Sequence, residues 1–395
     1  MRRCYKFLMR PTAKQVAALE ECLECMRQLY NAALEERREA WRKRRVSIRY
    51  NAQAHELTEI RQADPEGQGR WSCGAQQQTL RRLDFAFVDF FRRAKAGQNP
   101  GYPRFRGFGR FDTVTWPATK SGAKWDSVPH PTVTRVYLLG IGHVKVHQHR
   151  AVKGRVKMIS VRRERGRWYV VLWTDDSADE TLPVTGSAVG IDLGVAHLAS
   201  TSDGEHIPNP RFLAATADRL AEAQRELARK KRGGNRRKNA AEKVGKLHAK
   251  VHRQRLDHAH KTALALVRDH DVIVHEKLKP VNLTRRPRPR PAGDGSYELN
   301  GAAAKAGLNK SIFDAGWGIF LRVLAVKAES AGRQVIAVDS YYTSQQCAEC
   351  GHTAKGNRVT QAEFRCLACG HQANADVNAA INILRAGLAL QAKAA

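Results

Sequence analysis

The stretch Cys347-Ala-Glu-Cys350-Gly-His352, its echo Cys366-Leu-Ala-Cys369-Gly-His371, and the run Asn374-Ala-Asp376-Val-Asn-Ala-Ala380 that follows decide how the rest of the chain is read. Two Cys-x-x-Cys pairs with fifteen residues between them have the spacing of a structural zinc ribbon, and the glycine after each pair lets the backbone turn tightly around the thiolates. Four cysteines complete a tetrahedron, so the spacing predicts one Zn2+ in a structural role, with His352 and His371 as bystanders. Asp376 opens a segment in which Val377, Ala380, Ile381 and Leu384 recur at helical spacing. A zinc staple beside the first turn of a helix would aim one carboxylate.

Disulfides are the alternative use of these cysteines, and they belong to small secreted domains. This chain has 395 residues, no apolar N-terminal signal segment and no uncharged run long enough to cross a bilayer. A reducing compartment and no membrane partner are expected. Composition points to a polyanion: 68 Lys+Arg against 38 Asp+Glu give a formal charge of +30, spread along the whole chain, which self-repels until a polyanion such as nucleic acid neutralises it. The apolar fraction of 42% is ordinary, so real cores can form, and the length suggests two to four domains.

Lys14 to about Ala96 is helical in pattern, with one stripe through Val16, Leu19, Leu23, Met26 and Tyr30 and another through Leu80, Leu83, Phe87 and Phe90-Phe91. Cys22 and Cys25 have no second pair nearby and fall on or beside the first stripe, which makes them core thiols. From Gly101 to about Thr181 the pattern changes to short strands, Val136–Leu139, Gly142–Val146, Val156–Val161 and Trp168–Trp173, suited to a small barrel or curled sheet to which the opening Met1–Met9 could add a strand. Tyr102-Pro-Arg-Phe-Arg106 reads either as a loop that stacks bases and contacts phosphate or as a proline turn anchored by two aromatics.

Two apolar strands then each carry a carboxylate: Ser187–Val195 with Asp192, and Asp271–Glu276 ending in Glu276, with His275 pointing to the opposite face. An ionised aspartate in such a strand needs a cation. Between the strands, Leu213, Leu220 and Leu227, the turn Lys230–Lys238, and Val244, Leu247 and Val251 describe a helical hairpin with a cationic tip. Arg285-Arg-Pro-Arg-Pro-Arg-Pro291 is expected to be an irregular, mobile basic loop, with helix resuming near Ser311. Carboxylates from two strands and a helix can hold two divalent ions on either side of a phosphate, as phosphodiester hydrolysis requires.

Gly190-Ile-Asp-Leu-Gly194, His275-Glu-Lys-Leu-Lys279, Leu308–Gly318, Tyr342–Gly351 and Asp376-Val-Asn-Ala-Ala380, in this order, resemble the transposon-associated TnpB family and the related compact type V CRISPR effectors. The first half resembles them more loosely, through Leu29-Tyr30-Asn31 and Gly101–Phe105. The resemblance implies an α/β multidomain protein: a RuvC-type nuclease of RNase H fold (184–346 and 371–395), a zinc-ribbon insertion (347–370), a wedge-like β-barrel (1–12 and 99–183) and an inserted helical recognition lobe (13–98). It implies a catalytic trio of Asp192, Glu276 and Asp376 holding two Mg2+, a structural zinc on Cys347, Cys350, Cys366 and Cys369, a guide RNA, target double-stranded DNA beside a short flanking motif, and a prokaryotic cytoplasm at the nucleoid. A guided binder that represses without cutting and an unguided RNase H-like resolvase are the alternatives. This chain departs from the family twice. Ala362 stands where an arginine is common, with Arg358 and Arg365 the nearest substitutes, and Asn374 stands where an acidic residue is common.

Overall fold

The computed structural model describes residues 3–118, 122–126, 133–175, 181–278, 280–339 and 341–394, and divides into two compact units, Met1–Ala178 and Asp179–Ala395. Lys279 of the His275–Lys279 motif lies outside the described residues.

In the first unit, β1 (Arg3–Arg10) leads into α1 (Ala13–Arg44), α2 (Tyr50–Ala63) and α3 (Cys73–Lys95), after which the chain returns to strands β2 (Thr113–Pro117), β3 (Ala123–Trp125), β4 (Thr134–Leu138), β5 (Gly142–His147), β6 (Arg155–Glu164) and β7 (Arg167–Asp175). Thr12 and Gln15 cap α1 reciprocally, each side chain accepting from the other's amide. The strands form one antiparallel sheet in the order β2-β6-β7-β1-β5-β4-β3. Its central strand is β1, whose Tyr5, Phe7 and Met9 are buried in alternation. Patterning overlooked β2 and β3, which are short edge strands, β2 ending in a proline that an interior position would not accept.

Leu19, Leu23, Met26 and Tyr30 are buried as expected and share one core with the sheet. The second stripe is covered only at its start: Leu80 and Leu83 are buried, Phe87 is half-buried, and Phe91 is 57% exposed. Cys22 is a core thiol whose pKa burial pushes well above its ordinary value. The Tyr102–Arg106 loop is irregular and is held at both ends. Asn31 accepts from the Arg106 amide and donates to its carbonyl, and Tyr102 meets Phe87 and Phe90 edge-on, while Phe105 stays exposed.

In the second unit, β8 (Ala188–Asp192), β9 (His197–Thr201) and β10 (His206–Pro208) are followed by α4 (Ala217–Ala228), α5 (Asn235–Asp269), β11 (Val272–Glu276), α6 (Pro280–Leu283), α7 (Ala302–Ala315), α8 (Trp317–Ala331) and β12 (Gln334–Val338). Then come the short pair β13 (Glu363–Arg365) and β14 (Gln372–Asn374), and α9 (Ala375–Ala394). The main sheet runs β10-β9-β8-β11-β12; β8, β11 and β12 are parallel to one another, and β9 and β10 are antiparallel. Strand β12 was not anticipated. Helix α7 starts at Ala302 and not near Ser311: the alanine-rich Ala302–Ala306 has high helix propensity but little apolar periodicity to reveal it.

Side-chain alternation gives the sheet two faces. Val189, Ile191 and Ile273 pack with Ala259, Ala263 and Leu266 of α5 and Phe320 and Leu324 of α8, whereas Val274 and Val338 pack with Ile383 of α9. Helix α9 lies so close to β8 that a Cβ on Gly190 would collide with the Ala380 carbonyl and sit 2.8 Å from the Leu384 amide nitrogen. Gly387 meets the Val274 side chain in the same way. The expected α9 stripe is displaced. Ala380 is buried, but Val377, Ile381 and Leu384 are only half-buried, and the covered residues are Asn378, Ala379, Ala380, Asn382 and Ile383.

Gly190→Ala should therefore destabilise the protein by about 1–3 kcal/mol in chemical denaturation, because α9 backbone cannot yield. Gly387→Ala should cost less, since a valine side chain can rotate. The reverse order would mean that α9 is not fixed by its approach to β8.

Candidate active site and zinc site

Strands β8 and β11 pair in parallel through Ile191 and His275, so their next residues, Asp192 and Glu276, leave the same end of neighbouring strands. Asp376 sits in the first turn of α9, one turn before the Ala380 that packs over Gly190. Glu276 and Asp376 are close enough to Asp192 for their charges to act on it. Burial first, then the charges of Glu276 and Asp376, push Asp192 from 3.8 up to about 7, against the opposing pull of Arg358 and the Leu193 amide.

Glu276 and Asp376 each have a distinct holder. The Thr343 hydroxyl donates to Glu276 Oε1, and the Thr343 carbonyl accepts from Asn382 Nδ2 at 3.0 Å, which ties Glu276 to α9. Asp376 Oδ1 pairs with the Arg358 guanidinium at 3.1 Å, and that guanidinium also donates to the Gln361 carbonyl. Asn374 caps α9, its Oδ1 accepting from the amides of Asp376 at 3.0 Å and Val377 at 3.2 Å. The His275 ring bonds the Glu276 carbonyl through Nδ1.

Cys347, Cys350, Cys366 and Cys369 form, among the described residues, the group of metal-type ligands whose atoms all lie within 4.8 Å of one another. Sγ separations of 3.7 Å for Cys347–Cys369 and 3.6 Å for Cys350–Cys366 are too long for disulfides. They suit a tetrahedron of thiolates around zinc, where 2.3 Å bonds place the sulfurs about 3.8 Å apart. Both knuckles have the same backbone form. The Gly351 and Gly370 amides donate to the carbonyls of Cys347 and Cys366, and both glycines take positive φ, 76° and 74°. His352 and His371 offer their backbone carbonyls to the Cys347 and Cys366 amides. The Cys369 and Ala368 amides help to lower the Cys366 thiol to about 6, whereas, against the His371 amide, hydrogen bonds with Cys350, Cys366 and Cys347 and burial push Cys369 up to about 12, so the clustered thiols share their protons unequally.

Two asparagines join this cysteine cluster to α9. Asn378 accepts from the Ala348 amide and donates to the Gln346 carbonyl, and Asn382 donates to Gln346 and Thr343; both side chains are buried. Neither was singled out from sequence, although polar residues at i and i+4 on a buried helix face are the signal. The Leu308–Gly318 motif proves to be a brace. Asp314 is buried, pairs with Arg255 at 2.6 Å and caps the Leu213 and Ala214 amides, while the Trp317 indole donates to the carbonyl of Gly194, two residues past Asp192.

Comparison with known proteins places the chain. Residues 168–286 match a family model described as a probable transposase, residues 317–383 one described as a Cas12f1-like TNB domain, and residues 1–45 one described as a helix-turn-helix domain; the last covers β1 and the single helix α1. A protein of Escherichia coli K12 named "Putative RNA-guided DNA endonuclease InsQ" is 36% identical over 99% of this chain and 93% of its own length. One of Streptomyces pristinaespiralis with the same description is 32% identical over 99% and 91%. The chain belongs to the TnpB family. A stretch of 57 residues is also 61% identical to the CRISPR-associated endodeoxyribonuclease Cas12f1 of Sulfoacidibacillus thermotolerans, covering 14% of each chain.

Both departures from the TnpB pattern have local structural readings. Arg358, four residues before Ala362, brings a guanidinium to Asp376, and Asn374 serves as a neutral helix cap.

A raised carboxylate pKa makes folding proton-dependent. With Asp192 at about 7 when folded and near 3.8 when unfolded, the native state binds more protons in between, so stability declines as pH rises from about 4 to about 7. In magnesium-free buffer, Asp192→Asn should flatten that decline in denaturation midpoints measured from pH 5 to 8. An unchanged decline would show that Asp192 is not the group under stress.

Serine at any of the four cysteines should remove zinc from the purified protein by elemental analysis and lower its thermal midpoint, whereas Cys22→Ser should leave zinc content unchanged.

Proposed function

We propose that the chain is an RNA-guided DNA endonuclease that hydrolyses phosphodiester bonds at Asp192, Glu276 and Asp376. The observation that carries this reading is the convergence of three carboxylates from two parallel strands and a helix start in a chain similar, over nearly its whole length, to proteins named for that activity. The sheet order, three strands antiparallel and the last two parallel to β8, supports a RuvC-type RNase H fold. The seven-stranded sheet with its inserted helices supports a wedge and a recognition lobe.

Two magnesium ions held by the trio would supply an activated water on one side of the scissile phosphate and charge stabilisation of the leaving oxygen on the other. Oxygen ligands suit magnesium, and the stress on Asp192 is what a divalent cation relieves. The remaining work belongs to the chain. Thr343 orients Glu276, the Asn374 cap and the asparagine contacts fix where Asp376 leaves its helix, and Arg358 offsets the charge of Asp376. Diffuse basic surface binds nucleic-acid backbone, and sequence is read by base pairing with the guide RNA against double-stranded DNA beside a short motif. No described helix is long and apolar enough to cross a membrane.

Asp192→Ala, Glu276→Ala or Asp376→Ala should each reduce magnesium-dependent cleavage of guided DNA to background while target affinity changes by less than about tenfold, because the affinity comes from basic contacts elsewhere. A single variant that still cuts would break the assignment. RNA should co-purify with the protein, and exchanging its guide segment should redirect the cut. Cleavage that follows DNA structure and ignores the guide would favour an unguided resolvase.

A further inference from the structure

Arg285-Arg-Pro-Arg-Pro-Arg-Pro291 begins nine residues beyond Glu276 and was expected to be an irregular basic loop. The structure gives it a defined course. Arg290 accepts from the Glu298 amide at 2.9 Å, Pro291 bridges Tyr297, and Ala292 donates to Ser296 at 2.8 Å across a turn closed by Asp294. Asn300 Nδ2 reaches the Arg288 carbonyl at 3.0 Å, and Asn309 of α7 holds the Thr284 carbonyl at 2.9 Å. Residues 285–300 are therefore a small hairpin pinned at its base.

The hairpin spaces its charges regularly. The Arg288 and Arg290 carbonyls both engage the returning segment and a residue before proline is held extended, so Arg286, Arg288 and Arg290 recur at every second position of an extended strand of chain with prolines between. Alternate residues of such a strand stand about 6–7 Å apart, on the scale of one nucleotide step. Prolines hold φ and withhold amide protons, so the row stays extended without pairing as a true edge strand. All four arginines are exposed, and among the described residues none is in an ion pair, in contrast to Lys243, Lys246 and Lys261, which pair with Glu226, Glu242 and Asp257. Across from Pro291, Tyr297 is 72% exposed and offers a ring face.

We propose that this hairpin holds single-stranded DNA, its arginines on consecutive phosphates and Tyr297 under a base. The assignment rests on the endonuclease reading. Arg286 to Arg290 lie ten to fourteen residues beyond Glu276, at most about 35 to 50 Å of extended chain, and α6 shortens that path, so the row lies within several nucleotides of any phosphodiester at the carboxylates. The strand in reach there is the one being cut. The hairpin would feed it to Asp192, Glu276 and Asp376.

The test uses the full chain with Arg286, Arg288 and Arg290 all changed to Gln, and a second variant with all three changed to Lys. In guide-free protein, binding of a 20-nucleotide oligothymidylate is followed against salt. Three lost phosphate contacts should make the log–log slope shallower by about 2, while the Lys variant keeps it. In guide-loaded protein, single-turnover cleavage by the Gln variant should fall by about tenfold or more with guide RNA retention unchanged. An unchanged slope, or loss of guide RNA with an unchanged DNA slope, overturns the proposal, the second outcome assigning the row to RNA. Failure of the unaltered guide-loaded protein to cut would sink the endonuclease reading. The oligothymidylate slope would still report on the hairpin.

Discussion

Asp192, Glu276 and Asp376 repel one another, and the fold keeps them together only through contacts made elsewhere. The strain is visible at Asp192, whose acidity burial and its two neighbours shift toward neutrality. Nothing in the carboxylates themselves favours their meeting. What brings them together is a parallel register on one side and the placement of α9 on the other, and neither depends on the charges.

Helix α9 is held by three kinds of force at once. Along its middle, glycine at 190 and at 387 allows a close approach to β8 and to Val274, so dispersion contacts are dense and any added methyl must displace something. At its start, Asn374 caps the amides that would otherwise be orphaned. On its flank, Asn378 and Asn382 exchange hydrogen bonds with the backbone of the first zinc knuckle and with Thr343. Because Thr343 also holds Glu276, a disturbance of the cysteine cluster reaches two carboxylates by two separate routes.

Much of this was legible in sequence, for identifiable reasons. The cysteine spacing, the carboxylates interrupting apolar strands and the long helical stripes are patterns with a strong physical cause, and Leu19, Met26, Leu83, Asp192 and the four cysteines fall where that cause puts them. What escaped is what depends on tertiary neighbours. The covered face of α9 was misread because the helix packs against a sheet and a zinc knuckle together, so polar Asn378 and Asn382 are buried while Val377 and Ile381 are not. Strands β2 and β12 are no shorter than β8 and β11 but lack the carboxylate that singles those out, β3 has only three residues, and the start of α7 is encoded by alanines that carry no apolar rhythm. Thr343 bears no local sign of its bond to Glu276.

The two departures from the family pattern show how a site tolerates substitution. A guanidinium near the third carboxylate is an electrostatic requirement on position and not on residue number: an arginine side chain is long enough to reach from a neighbouring turn, and Arg358 does so with its other contact fixed on Gln361. An acidic residue two before Asp376 would favour the helix dipole but add a fourth negative charge beside three that already repel. Asn374 keeps the cap and omits the charge. The two changes taken alone would act in opposite directions, but Arg358 restores the positive charge that Ala362 lacks while Asn374 omits a negative one, so the cluster is left no more negative than the family pattern would make it. Residue identity at 362 and 374 is therefore less informative about this site than the charge balance that the surrounding chain restores.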